Sequence, residues 1–538
     1  MAGSGDAVLR VEIRDKQSGD VVPAMVCITS LDDHGWRVPP DGSVIPPYTT
    51  TLSFYRPQRW KHGDVGPVRL TSGEYGDNTI RSRVYEGASA YPFWREVAAY
   101  FVSEPFSITL PSGKWRLAIA RGIEFVPVFE DFIVSPHQSI SRRIFLERWV
   151  NMPIDGWYSG DGHVHCPRAQ AVDNDFLLTW AEAEDVHVSN VLRMGDLGAT
   201  YFEQMGYGSA YQVQRRDYVL VSGQEDPRTE IGEQGHVIAL NITEPVRNER
   251  RYHLYDLVFD RVHSQGGVTG YAHLAWARSY YRQAQPGLEP TWDATINVVK
   301  GKIDFCEILQ FRQLGIDDFY DFLNMGFRIS ASAGSDVPWG NTIGEARVYA
   351  FVGKHFSADS WFAALKDGHT FVTNGPMLQL DVETALPGNE VRVRRDTEIR
   401  IFVRAWAPEV IGSPMTLEVI GSGDVIRSTT SRDAKQVELT AEFRFRPKTS
   451  QWIAARVWSH NGAVAHTSPV YLLVDGKGWR NTEKLPALVA KRLKILSFID
   501  ARLQDPQFVR NYGDGETEAL HGRIAEARTC YQRLLDLS

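Results

Sequence analysis

Leu9, Val11 and Ile13 alternate with Arg10, Glu12 and Arg14, which makes one side of this segment apolar and the other charged. Period-two alternation predicts a strand with one face in a core. A turn at Ser18-Gly19-Asp20 leads into a second β-rich run, residues 21–28. Pro111-Ser112-Gly113 divides residues 106–110 from a further alternating run through Trp115, Leu117 and Ile119. Turn-separated strands without helical periodicity predict an N-terminal β-sandwich over residues 1–150. Within it, residues 39–87 are rich in Gly, Pro, Tyr and charge and read as a long excursion.

From about residue 155 short apolar runs alternate with helical spacing. The runs are 157–164, 186–192, 218–222, 236–241, 267–272, 305–310 and 327–331. Between them, Phe176 and Trp180 sit four apart after candidate caps at Asp173 and Asn174. Leu254, Leu257, Val258 and Val262 form a second stripe that stops at Gly266-Gly267, and Phe319, Phe322 and Leu323 form a third that ends at Gly326. Repeated β–α units predict an α/β domain over residues 151–376, a parallel sheet or barrel with its chemistry at the strand C-terminal ends, although seven runs are too few for a standard eight-stranded barrel. Alternation returns at Ile399, Ile401, Val403 and Ala405, and predicts a C-terminal β-sandwich over residues 377–476. Residues 477–538 read as a helical tail, in which Leu520, Ile524, Ala527, Tyr531 and Leu534 make one apolar stripe.

Composition narrows the field. Apolar residues are 43% and charged residues 23%, as in ordinary globular proteins. With 58 Lys+Arg against 66 Asp+Glu the net charge is −8, and no long basic stretch offers a face for nucleic acid. No apolar run reaches the roughly 18 residues of a membrane span, and the first residues lack the pattern of a signal peptide. The expectation is a soluble, cytoplasmic protein acting on a small molecule, with self-association left open. Cys27, Cys166, Cys306 and Cys530 lie far apart, which suggests neither a disulfide framework nor a cysteine zinc site.

The chemistry-bearing residues fall at the predicted strand ends. Gly160-Asp161-Gly162-His163-Val164-His165 places two imidazoles at i, i+2, on one side of a strand, where both can reach one metal. Glu225 ends the run 218–222 and His236 opens the next. His273 leaves the run 267–272, and Asp336 closes Ser332-Ala333-Gly334-Ser335-Asp336 after the seventh run. A carboxylate can bridge two cations, so Glu225 among histidines hints at a binuclear centre. The candidate metal ligands are therefore His163, His165, Glu225, His236, His273 and Asp336. Four imidazoles and two carboxylates suit Zn²⁺, Mn²⁺ or Fe²⁺ better than Mg²⁺ or Ca²⁺.

These elements, in this order, resemble the PHP (polymerase and histidinol phosphatase) superfamily of metallohydrolases. Within it, residues 160–165, 183–192 and 223–225 are most similar to the carbaryl-hydrolase-like metallohydrolases. The resemblance covers about residues 155–376 and implies a distorted seven-stranded barrel flanked by β-domains. It also implies that His163, His165, Glu225 and Asp336 hold one metal, and that Glu225 bridges to a second held by His236 and His273. Asp161 becomes a residue orienting the first histidine. Gln170, Ser189-Asn190-Val191 and Asp336-Val337-Pro338 depart from the superfamily's third-metal positions, which favours two metals.

The expected activity is hydrolysis of a carboxyl ester, carbamate or amide by a water ionised between two cations, with Asp336 moving the proton. Arg193, Tyr271, Trp276, Arg312 and Trp339, next to predicted strand ends, are candidates to contact the substrate, and aromatics there suit an aryl leaving group. Phosphoester hydrolysis is the alternative. A non-catalytic carbohydrate- or protein-binding scaffold is the second alternative.

Overall fold

The computed structural model describes residues 6–32, 35–37, 43–44, 68–69, 100–197, 199–228, 234–274, 291–310, 313–337 and 342–536. The excursion at 39–87 lies outside the described residues except for 43–44 and 68–69.

The alternation at the start of the chain becomes strand Ala7–Asp15, whose Leu9, Val11 and Ile13 are buried. It pairs in parallel with Ser139–Arg148 and antiparallel with Phe106–Leu110. Strands Ala24–Ser30, Gly113–Ala120 and Val128–Val134 form a second, antiparallel sheet. Trp115, Leu117 and Ile119 from one sheet and Ile140 and Ile144 from the other close the core between them.

The middle of the chain corrects the expected fold class. Of the described residues, 41% lie in strands and 22% in helices, so the protein is mostly β rather than α/β. The strands that carry the candidate site form a curled half-barrel in place of the expected seven-stranded β/α barrel. Strand directions give the reason. Trp157–Val164, Val188–Asp196 and Tyr218–Arg228 pair in parallel, as do Val268–Tyr271, Phe305–Gln310 and Ser330–Ala333. Between these two groups, His236–Leu240 runs against both neighbours. Trp157–Val164 also pairs antiparallel with Arg347–Phe351, which pairs antiparallel with Thr370–Thr373. Thr370–Thr373 then joins Val464–Thr467, so pairing continues into the C-terminal strands. A β/α repeat would keep its strands parallel; this sheet reverses and does not stop where the repeat ends.

Helices Ala171–Ala183, Tyr255–Ser264 and Ala358–Asp367 pack against this sheet and bury Trp180, Phe259 and Trp361, and Asp317–Asn324 buries Phe322 in the same core as Phe259 and Trp361. The first starts earlier than predicted. Gln170 is its cap, and Asp173 is the reciprocal partner in a capping box, its carboxylate accepting from Gln170 N.

In the C-terminal part, Met377–Val382, Ile399–Trp406 and Glu438–Phe445 make a three-stranded sheet. Its Ile399, Ile401 and Val403 face Leu417, Val419, Ile453 and Val457 across an apolar core. Helices Leu485–Arg502 and Glu516–Asp536 end the chain, and Tyr531 Oη donates to Thr295 O at 2.9 Å. Among the described residues no helix is long and apolar enough to cross a membrane.

Candidate metal centre

His163 and His165 project from the end of strand Trp157–Val164, and the intervening Val164 turns into the apolar core. The chain returns beside them at 336–337. Val164 makes a parallel bridge with Val337, His165 N donates to Val337 O at 2.7 Å, and Asp336 N donates to His163 O at 2.8 Å. These backbone bonds set Asp336 against the histidine pair. Asp161 fixes the same junction, one carboxylate oxygen accepting from His163 N (2.9 Å) and Ser335 N (3.0 Å), the other from Gly344 N (2.7 Å). Burial pushes its carboxyl up to about 6, against the pull of those donors.

The second group comes from the reversed strand. Glu225 lies opposite Ile238, and a register irregularity lets Arg228 pair with His236. Ala272 N donates to His236 O at 3.0 Å, which holds His273 next to His236. Two triads result: His163, His165 and Asp336; and Glu225, His236 and His273. Within each, one ligand atom per residue lies within 4.8 Å of the others. Glu225 stands between the triads. One of its oxygens is 3.1 Å from His165 Nε2, while the other is 2.8 Å from His236 Nδ1 and 3.6 Å from His273 Nε2. His273 and Asp336 hold left-handed backbone angles, φ 37° and 54°. Such angles in non-glycine residues cluster at functional sites.

Whether cations fit can be read from the hydrogen bonds. His165 Nδ1 is 3.2 Å from Leu192 O, which only accepts, so Nδ1 carries the proton. His163 Nδ1 is 3.1 Å from a Glu307 oxygen and carries its proton for the same reason. In the neutral rings both Nε2 atoms then present lone pairs, and they face one another at 2.9 Å. Two lone pairs at that distance repel unless a proton or a metal lies against them. Burial pulls His163 down, but Glu307, Asp336 and Glu225 outweigh it and hold its pKa well above the usual histidine value. For Glu225, burial is opposed by His236, His163 and His165, which hold it well below the carboxylate range. Burial brings His236 down to about 4, so its imidazole is neutral at pH 7 despite the Glu225 carboxylate. Burial raises Asp336 against the pull of His163 and His165. The donor set brings four imidazoles and two carboxylates together in two buried triads, and a divalent cation in place of the His163 proton fits it.

The predicted substrate contacts fare differently. Register places Met194 opposite Glu225 and Arg193 opposite Gln224, so Met194 shares the Glu225 face and Arg193 does not. Arg193 Nη2 lies 3.9 Å from Asp226. Tyr271 is fully buried, and its hydroxyl donates to Asp293. Trp276, Arg312 and Trp339 lie outside the described residues.

Sequence reasoning missed Glu307 and Phe202. Phe202 stacks on His165 with ring centroids 5.3 Å apart. Glu307 carried a signal, because an acid inside the apolar run Phe305–Gln310 must find a partner when that run is buried.

Comparison with known proteins adds little. No family model and no curated protein matches the chain. Two solved structures show limited likeness. The fibronectin(III)-like modules of CbhA from Clostridium thermocellum are 14% identical over 18% of this chain and 98% of theirs, with a TM-score of 0.14. An engineered protein is 16% identical over 18% of this chain and 20% of its own, with a TM-score of 0.13. Likeness of this size bears on neither fold nor activity.

Proposed function

We propose that the protein is a binuclear metal-dependent hydrolase acting on a carboxyl ester, carbamate or amide of a small molecule. The observation that carries this reading is Glu225, whose carboxylate stands between the two triads, with Oε2 3.1 Å from His165 Nε2 and Oε1 2.8 Å from His236 Nδ1 and 3.7 Å from His163 Nε2. His163, His165 and Asp336 would hold one divalent cation, and His236 and His273 the other, with Glu225 shared. When bound, such a pair supplies Lewis acidity at a carbonyl oxygen and lowers the pKa of water toward about 7.

The chain's own residues set the rest. His163, His165 and Glu225 are almost fully buried, whereas Asp336 and His236 retain 11% and 10% side-chain exposure. Asp336 would accept a proton and release it to the leaving group. Glu225, held ionised by its histidine neighbours, stays an acceptor throughout.

The test is metal analysis of the purified protein beside His165→Ala and Glu225→Ala, with turnover of aryl carbamates, aryl esters and aryl phosphoesters measured in parallel. Near two equivalents of zinc or manganese in the native chain, lost in both variants, with carbonyl substrates turned over fastest, is the expected result. Faster phosphoester turnover would shift the reading to a phosphoesterase. A chain that binds no metal and gains no activity from added metal would end it.

A further inference from the structure

Glu307 sits on strand Phe305–Gln310, fully buried, directly opposite Ser332 of the neighbouring parallel strand. A single one of its oxygens, Oε2, serves both triads. It lies 3.1 Å from His163 Nδ1 and accepts from His273 N at 3.0 Å. Its other oxygen, Oε1, has no hydrogen-bond partner among the described residues, and neither has Ser332 Oγ. Two glycines make the arrangement possible. A Cβ on Gly334 would stand 2.6 Å from Oε1, and one on Gly162 would stand 3.6 Å from Oε1 and 3.5 Å from Ser332 Oγ. Among the described residues no lysine or arginine lies within ion-pair distance of Glu307; its ion-pair partner is His163.

We propose that Glu307 is a positioning residue that couples the two halves of the centre, a role that rests on the metal-binding reading above. The acceptor at His163 Nδ1 keeps the proton on that nitrogen, so Nε2 presents its lone pair toward His165 and Asp336. Carboxylates placed behind metal-binding imidazoles fix ring orientation and raise ligand basicity. The second bond of the same oxygen holds the backbone of His273, whose φ of 37° is otherwise unfavourable. One buried carboxylate thereby orients a side chain in one triad and a backbone in the other.

This differs from the effect expected of a ligand. Loss of His236 removes a donor from one triad, so His236→Ala should lose one metal and keep the other. Glu307→Ala should weaken both. Binding is read by competition of zinc with a chromophoric chelator on the full-length protein. The expected result for Glu307→Ala is a drop of about 10- to 100-fold at both sites. Glu307→Gln keeps an oxygen where Oε2 stands but loses the charge, and should fall between native and Ala.

The second measurement reads the native protein and uses one folded variant only to assign a signal. In ¹⁵N-histidine spectra of the zinc-loaded native protein, His163 (assigned with His163→Gln) should keep a proton on Nδ1. Wild-type zinc affinity at either site in a folded Glu307→Ala chain would overturn the coupling, as would a His163 signal with the proton on Nε2. A native chain that takes up no zinc at all overturns the hydrolase reading as well, which distinguishes the two failures.

Discussion

Two clusters of titratable side chains are built around buried acids in this molecule, and they resolve their charge in opposite ways. One joins the N-terminal sheets to the curled sheet. Glu124 and Asp185 share the guanidinium of Arg148 at 2.7 and 2.9 Å, and Arg121 lies 3.7 Å from Asp185. Tyr349 and Tyr218 hydroxyls donate to Glu124 and Asp185 at 2.9 and 2.6 Å. Every acid there has an arginine that is always charged. The other cluster is the candidate centre, where Glu225, Asp336 and Glu307 face imidazoles and, among the described residues, no arginine or lysine within ion-pair distance. A buried acid without a cation is costly, so it must acquire one. The first cluster carries its counterions in the sequence and is structural. The second has to recruit positive charge from outside, as protons on the histidines or as metal, and recruitment is what a functional site needs.

The largest effects should separate the two. Removing a ligand, as in Glu225→Ala, should weaken metal binding by more than the roughly 100-fold that loss of a supporting residue reaches, and abolish turnover. Arg148→Met should do the reverse. It leaves Glu124 and Asp185 buried without their shared cation, a loss of about 3–5 kcal/mol in urea denaturation, with metal content per folded chain unchanged. If Arg148→Met emptied the centre, the clusters would be one network and the contrast would fail. Next in size is the response to metal itself. Zinc at 100 times its dissociation constant should stabilise the native chain by about 2.7 kcal/mol per site. His165→Ala should lose that increment in a thermal melt, and Arg148→Met should retain it.

Much of this was legible in the sequence, for reasons that differ by level. The i, i+2 spacing of His163 and His165 on a strand says that both rings share a side, because strand geometry is local. The alternation at Leu9–Ile13 and Ile399–Ala405 marked buried faces for the same reason. The direction of neighbouring strands is not local. Nothing in the run 236–241 says that it opposes both its partners, so the alternating pattern predicted a barrel where a curled mixed sheet formed. The arginine cluster was illegible because Arg148, Glu124, Asp185 and Tyr349 are scattered over 225 positions and none is unusual alone. Glu307 lies between these cases. Its place inside an apolar run announced a buried acid, but its partner 144 positions away could be named only from coordinates.

The finest test of the contrast is pH. Burial and the charge of Asp185 push Glu124 up to about 7 from its ordinary 4.5, although Arg148 pulls the other way. An acid whose pKa is raised on folding binds its proton more tightly in the native chain than in the unfolded one. Its contribution to stability is therefore full below about pH 4.5 and is lost as pH rises to about 7, by roughly 3 kcal/mol. Burial raises Asp185 too, but Arg148 and Arg121 prevail and hold it below its ordinary 3.8, so its opposite dependence falls in a lower window. Glu124→Gln keeps the shape and an acceptor for Arg148 but cannot ionise. The difference in unfolding free energy between native and Glu124→Gln chains, both saturated with zinc, should fall steadily from pH 4.5 to 7 and level off above. Both chains carry the same histidines at the centre in the same zinc-bound state, so their titration cancels in the difference. A flat difference across that range would mean that Arg148 neutralises Glu124 fully, which would place the two clusters further apart in character than the geometry alone suggests.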